Sequence, residues 1–124
     1  RPYKAFVIGR IDGIDVVNGV IYELKHRQSR LFRQLRGYEQ VQCLLYMKMF
    51  QVPRLTLVET YKGEQLYYHL KMTEGRMSYT DVDGVEKEGL GWKEIQEGLE
   101  IIVEQLNRAE IDENYRNQLM AALF

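Results

Sequence analysis

The sequence predicts an α/β protein in which helices flank a central mixed β-sheet of about four or five strands. Runs of β-branched and aromatic residues separated by turn dipeptides predict the strands. Apolar residues that recur every three or four positions predict the helices. The 124 residues suffice for one compact domain, 1–124, with its own core. The chain opens Arg1-Pro2 without a methionine, so we expect this domain to belong to a larger protein whose other domains are its partners.

The first predicted elements are a β-hairpin and a helix. Strands over 3–12 and 19–26 flank the dipeptide Asn18-Gly19, which favours tight turns because both residues tolerate a positive φ. A helix over 37–50 follows. Its apolar stripe has the spacing of a core face and consists of Tyr38, Val41, Leu45 and Met49.

A second hairpin, a short edge strand and two further helices complete the predicted fold. A polar turn at 81–84 resembles a calcium loop but lacks the further oxygen ligands that such a loop needs. A long amphipathic helix follows Gly91 and is expected to pack on the sheet, and Asp112 is expected to cap a last helix. Glu59 and Glu64 show no partner that suggests chemistry. The remaining strands are predicted over 54–61, 65–72 and 77–80.

Two carboxylates and an amine are predicted to meet at the first hairpin. Side chains alternate along a strand, so Glu23 and Lys25 point to the same side, and Asp12 ends the preceding strand near Glu23. A strand face with Glu-x-Lys is commonly just solvated. The same groups also suit Mg²⁺ or Mn²⁺, because carboxylates are hard oxygen ligands and an ammonium can orient water or neutralise charge on a phosphate.

Three motifs follow one another in this sequence: Gly-x-x-Asp ending at Asp12, Glu-x-Lys over 23–25, and Gln-x-x-x-Tyr from Gln42 to Tyr46 on the following helix. Their order and spacing resemble the RecB-like branch of the PD-(D/E)XK nuclease superfamily. The resemblance covers residues 7–46. It implies a restriction-endonuclease-like sheet with the site at the end of the first hairpin.

The resemblance also implies a role for each motif residue. The catalytic residues would be Asp12, Glu23 and Lys25. Asp12, Glu23 and the backbone carbonyl of Leu24 would hold Mg²⁺ or Mn²⁺. Gln42 and Tyr46 would engage the substrate or steady the site.

Two features leave the ligand set open. Asp15 is the rival of Asp12 for the metal, although an Asp at this place is typical of a turn residue that binds local backbone. RecB-like relatives usually carry a helix with an additional acidic or histidine ligand before the first catalytic strand. Neither His26 nor His69 lies where that ligand would fall.

The only concentrated positive stretch covers residues 25–36, in a chain whose net charge is −1. Guanidinium groups suit phosphate oxygens, and such contacts position a nucleic acid without reading its sequence. A charge run is also commonly just solvated surface. Beside the predicted metal site, the candidate backbone contacts are Arg27, Arg30 and Arg33.

Composition narrows the compartment and the partners. The single cysteine, Cys43, excludes an internal disulfide and suits a reducing, intracellular compartment. No apolar stretch is long enough for a membrane span, so we expect no membrane partner.

The expected function is a Mg²⁺- or Mn²⁺-dependent nuclease that hydrolyses the phosphodiester bonds of DNA, as an exonuclease or a structure-directed endonuclease. Two alternatives stay open. One is a non-catalytic nucleic-acid-binding or scaffolding domain with a nuclease-like fold, and the other is an RNA endonuclease.

Overall fold

A computed structural model describes residues 9–123 of the chain. Two compact units are present, Gly9–Trp92 and a second one that includes the helical residues from Lys93 onwards. The single domain over 1–124 stays a prediction. Most of the predicted strand over 3–12 lies outside the described residues, and its described part, 9–12, is not a strand: the first arm of the hairpin pairs only from Gly13.

The first unit is built on one six-stranded mixed sheet, which confirms the α/β class but exceeds the four or five strands expected. The strands follow one another across the sheet in chain order, β1 to β6. They are β1 (Gly13–Asp15), β2 (Val20–His26), β3 (Arg54–Tyr61), β4 (Glu64–Thr73), β5 (Arg76–Thr80) and β6 (Glu86–Gly91), and helix α1 (Gly37–Phe50) lies between β2 and β3 in the chain.

Strand direction follows from the length of each connection. β2 and β3 pair in parallel, with α1 as the crossover between them. The other neighbouring strands pair antiparallel. Two-residue turns join β3 to β4 and β4 to β5, and both residues of each turn have a positive φ, 47° and 82° for Lys62 and Gly63 and 52° and 78° for Glu74 and Gly75. Such turns match the twist of the strands they join.

The core lies between α1 and one face of the sheet, which we call the α1 face. Gly89 of β6 belongs to this packing, because an added Cβ would lie 2.6 Å from the end of Met77 and 3.1 Å from Gln40 of α1. The buried apolar residues of this layer include Ile21, Leu55, Leu57, Tyr68, Leu70 and Met77 from the sheet and Cys43, Leu44 and Met47 from α1.

The predicted core stripe of α1 is wrong, although the bounds of the helix are confirmed. Tyr38 and Met49 are exposed, whereas Cys43, Tyr46 and Met47 are buried. Apolar side chains occupy nearly all sides of the second half of this helix, so periodicity did not identify the face that packs on the sheet.

Strand β6 is absent from the prediction, and the strand over 77–80 is therefore not at the edge of the sheet. The segment Glu86–Gly91 carries charged residues and two glycines, which are depleted in strands. This segment pairs with β5 because of its tertiary contacts, which local sequence does not show.

The second unit contains two helices, α2 (Trp92–Ile111) and α3 (Glu113–Leu123). Asp112 caps α3 as expected, because its Oδ1 accepts the backbone N–H of Tyr115 at 3.0 Å. The Arg108 guanidinium lies 4.0 Å from the ring centroid of Tyr115. Packing of α2 on the sheet stays a prediction. Among residues 9–123, no helix is both long and apolar enough to cross a membrane.

Candidate active site

Asp12 and Glu23 meet at the open end of the first hairpin. Gly13 pairs with Tyr22, so the antiparallel register brings Asp12 opposite Glu23. The backbone N–H of Asp12 donates to Glu23 Oε1 at 3.1 Å. In return, the backbone N–H of Leu24 donates to Asp12 Oδ2 at 2.9 Å. Each carboxylate thus accepts a backbone N–H from the opposite arm of the hairpin, Glu23 from Asp12 just before β1 and Asp12 from Leu24 of β2.

The two carboxylates bring two negative charges close together at a partly buried position. Glu23 is only 3% exposed. Burial raises its pKa, and the charge and side chain of Asp12 raise it further, while the Asp12 N–H and Lys25 act in the opposite direction. One oxygen of each carboxylate, Asp12 Oδ1 and Glu23 Oε2, accepts no N–H hydrogen bond from the described part of the chain. Two close carboxylates with free oxygens fit a divalent cation.

Lys25 points to the same side of β2 as Glu23 and is held by the helix motif. Its Nζ donates to Gln42 Oε1 at 2.7 Å, and Gln42 Nε2 donates to the Tyr46 hydroxyl at 3.1 Å. Both ends of the Gln42 amide are therefore occupied within the protein. In this arrangement Gln42 and Tyr46 hold the Lys25 amine, which agrees with the second of the two roles that the resemblance implies.

The Tyr46 ring packs against Gly9, and the lack of a side chain at Gly9 leaves room for it. A Cβ at position 9 would lie 2.5 Å from Tyr46 Cε1, which is far inside van der Waals contact. The three motifs therefore form one physical chain of contacts, from Gly9 through Tyr46 and Gln42 to Lys25. Cys43, on the same helix, is buried, and its pKa rises to about 12 because of burial and the nearby Glu23 charge. It is an inert core residue.

The third expected ligand, Leu24, and the rival of Asp12, Asp15, lie in different surroundings. The Leu24 side chain is exposed on the face opposite to α1, and the metal-binding role of its carbonyl stays a prediction. Asp15 is the last residue of β1, and its side chain binds the following turn as expected: its Oδ1 accepts the N–H groups of Val17 and Asn18 at 3.0 and 3.1 Å. The pKa of Asp15 is lowered chiefly by the Asn18 side-chain amide, which donates to Oδ2 at 2.7 Å, and further by these backbone hydrogen bonds.

Arg27 does not fit its predicted role as a nucleic-acid contact. Its side chain is 7% exposed and forms ion pairs with Glu39 at 2.9 Å and Glu59 at 2.8 Å. The ring of Phe32 lies 3.7 Å from the guanidinium. This arginine is a buried structural residue, because tertiary neighbours that local sequence does not reveal enclose it.

Glu59 is the residue whose importance the sequence did not show. Besides Arg27, its carboxylate accepts the backbone N–H groups of Phe32 and Arg33 at 3.1 and 2.9 Å and the Tyr68 hydroxyl at 2.9 Å. Burial raises its pKa, but these hydrogen bonds outweigh burial and leave the pKa lowered. The one sequence signal that could have indicated such a role is that Glu59 continues the alternating apolar positions Leu55 and Leu57 on one face of the strand.

The loop that Glu59 anchors presents the other two arginines to solvent. Arg30 is exposed. Arg33 has a positive φ of 57°, and its guanidinium, 63% exposed, lies 3.7 Å from Glu64 in a loose surface pair. Both side chains are thus exposed, and their contact with a nucleic acid stays a prediction.

The metal-binding potential rests on two carboxylates. Within residues 9–123, no group of three or more His, Cys, Asp or Glu side chains is placed to hold a metal ion. The Asp81 turn is not a calcium loop, since Asp81 Oδ1 accepts two backbone N–H groups and Oδ2 contacts Lys87. No family model, curated protein or solved structure matches the chain.

Proposed function

We propose that this protein is a metal-dependent nuclease that hydrolyses phosphodiester bonds, with DNA as the preferred substrate. The observation that carries the proposal is the convergence of the Asp12 and Glu23 carboxylates beside Lys25. Three residue types that hydrolysis of a phosphodiester needs thus meet on one face of one hairpin. The resemblance to RecB-like nucleases supports DNA, and it also supports exonuclease or structure-directed endonuclease action.

Asp12 and Glu23 would hold Mg²⁺ or Mn²⁺ through their free oxygens, with the Leu24 carbonyl as the further ligand that the resemblance implies. Mg²⁺ in proteins commonly has one or two carboxylate ligands and completes its shell with water and substrate phosphate. When bound, such an ion stabilises charge on a phosphoryl oxygen and lowers the pKa of water. Two carboxylates alone predict weak binding that nucleic acid strengthens.

Lys25 would act on the substrate directly. An ammonium has three N–H donors, and Gln42 uses one of them. The others can contact a phosphate oxygen or orient the attacking water. Because the Tyr46-Gln42 chain fixes the amine, little side-chain freedom is lost when the substrate binds.

Arg30 and Arg33 would contact the nucleic-acid backbone next to this site. They belong to the loop that follows β2 directly, and β2 carries both Glu23 and Lys25. Contacts of this kind depend on salt but not on base sequence.

Substitution of Lys25 by Ala tests the mechanism. We expect Lys25→Ala to lower the rate of DNA cleavage with Mn²⁺ by about 10²–10⁴-fold, the usual contribution of a positioned acid or base, and to leave Mn²⁺ binding nearly intact in calorimetry. Lys93→Ala, at an exposed lysine of the other unit, is the matched control and should cleave like the wild type.

Asp12→Asn and the wild type, compared in the same assays, distinguish the nuclease hypothesis from its main alternative. The substitution should abolish both cleavage and Mn²⁺ binding. The alternative is a non-catalytic nucleic-acid-binding domain, which the absence of a third acidic ligand among residues 9–123 favours. Wild-type protein that neither binds millimolar Mn²⁺ nor cuts DNA or RNA would establish that alternative, and cleavage of RNA alone would change the substrate.

A further inference from the structure

The sheet face opposite to α1 carries a shallow trough that the proposed active site does not use. Residues that pair across β2, β3 and β4 point to the same side, and the registers place them in rows. Strand β3 forms the floor, and β2 and β4 form the walls, about 9.5 Å apart because neighbouring strands are separated by about 4.8 Å. The floor consists of Thr56 and Val58, and the walls of Tyr22, Leu24, Tyr67 and His69.

The walls offer flat rings to solvent. Tyr22 is 40% exposed and Tyr67 is 50% exposed, while the floor residues are each 7% exposed. Tyr67 and His69 are stacked, with ring centroids 6.4 Å apart and an angle of 12° between the ring planes. Tyr67 is oriented further by its hydroxyl, which donates to Gln65 at 2.7 Å.

The trough also carries polar groups. The Thr56 hydroxyl lies 3.2 Å from His69 Nδ1, and the Thr60 hydroxyl, one row further along, lies 2.8 Å from His26 Nδ1. A hydroxyl can both donate and accept, so each has capacity left for a ligand.

One end of the trough is positively charged. Arg54 and Lys71 pair across β3 and β4. Together with His69, Ser78, Thr80 and one acidic residue, Glu86, they line a cavity of about 190 Å³, so two cations face one carboxylate there. Lys71 contacts Glu86 at 3.2 Å, but both side chains are about 60% exposed, so this ion pair is weak. Arg54 forms no ion pair with the described residues.

We propose that this trough binds single-stranded nucleic acid, with bases stacked on Tyr22 and Tyr67 and a backbone phosphate at Arg54 and Lys71. Aromatic rings beside a cationic end are the combination that holds single strands with little regard to sequence. A duplex keeps its bases stacked on one another and cannot use the rings. The inference goes beyond the proposed nuclease and does not need it, since Tyr22 and Glu23 point to opposite faces of β2.

Fluorescence anisotropy of labelled 12-mers, measured in EDTA so that cleavage cannot occur, tests the proposal. The probes are dT12, rU12 and a 12-base-pair duplex. The wild type should bind a single strand more tightly than the duplex, and the tighter of dT12 and rU12 identifies the preferred sugar. Tyr22→Leu/Tyr67→Leu removes both rings but keeps apolar bulk, and it should weaken single-strand binding at least 20-fold, since stacking contributes about 1–3 kcal/mol per base.

Tyr38→Leu, at an exposed tyrosine of α1, is the control and should bind like the wild type. Wild-type affinity in the double variant would overturn the proposal, as would tighter binding of the duplex. Circular dichroism establishes that the double variant is folded. The two proposals fail separately: Lys25→Ala should keep single-strand binding while it loses cleavage, and a wild type that binds but does not cleave would remove only the nuclease.

Discussion

Two buried glutamates on the α1 face, in neighbouring strands, differ in almost every respect except burial. Glu59 accepts four hydrogen bonds, including one from its ion-pair partner Arg27. Glu23 accepts one, from the backbone of Asp12, and has a second carboxylate beside it. Accordingly, the pKa of Glu59 is lowered and that of Glu23 is raised. Glu59 therefore contributes to the stability of the fold, whereas Glu23 has charge left for a ligand.

The largest expected loss of stability comes from removing Arg27, the ion-pair partner of Glu59. Arg27→Met leaves Glu39 and Glu59 buried without their shared cation, and breaking a buried ion pair in this way costs about 3–5 kcal/mol. Urea denaturation at neutral pH measures the loss. Arg30→Met, at an exposed arginine of the same loop, should change the free energy of unfolding by less than about 0.5 kcal/mol. Equal stability of the two variants would contradict the structural role of Arg27.

Local sequence predicted the elements around both glutamates. The strands over 54–61 and 19–26 and the helix over 37–50 appear within a residue of their expected bounds. The alternation along β2 correctly placed Glu23 and Lys25 on one face, because strand periodicity and turn chemistry act over a few residues.

Local sequence could not predict what surrounds each glutamate. Arg27 and Glu59 are 32 residues apart in the chain, and only the parallel pairing of β2 with β3 brings them together. The three candidate contacts therefore looked alike in the sequence, although the Arg27 side chain is buried and Arg30 and Arg33 are exposed. The convergence at Glu23 was predictable because the hairpin that creates it is local.

Gly9→Ala should have a smaller effect, which disturbs the Glu23 site and leaves the Glu59 site intact. Gly9→Ala places a methyl group against the Tyr46 ring, and overpacking of this kind costs about 1–3 kcal/mol. Because Tyr46 and Gln42 hold Lys25, we also expect slower DNA cleavage. Gly98→Ala is the control: an added Cβ has nothing within 4 Å, and Ala should stabilise the helix by about 0.5–1 kcal/mol. Thermal unfolding and a cleavage assay distinguish the two, and Gly9→Ala with wild-type cleavage would contradict the positioning chain.

The smallest effect, and the most direct test of the comparison, is the pH dependence of two matched substitutions in EDTA. The folded pKa of Glu59 lies below its ordinary value of 4.5, so its ionised form stabilises the fold above that pH and the contribution is lost on acidification. Glu59→Gln should therefore be less stable than the wild type at pH 7, by an amount that shrinks below pH 4.5.

The folded pKa of Glu23 lies above 4.5, so its ionisation costs stability as the pH rises. Glu23→Gln keeps the acceptor for the Asp12 N–H and should be slightly more stable than the wild type at pH 7, with the difference vanishing in acid. Urea midpoints from pH 3.5 to 7.5 measure both differences, and differences of the same sign would mean that Glu23 is as well satisfied as Glu59 and has no charge left for a metal ion.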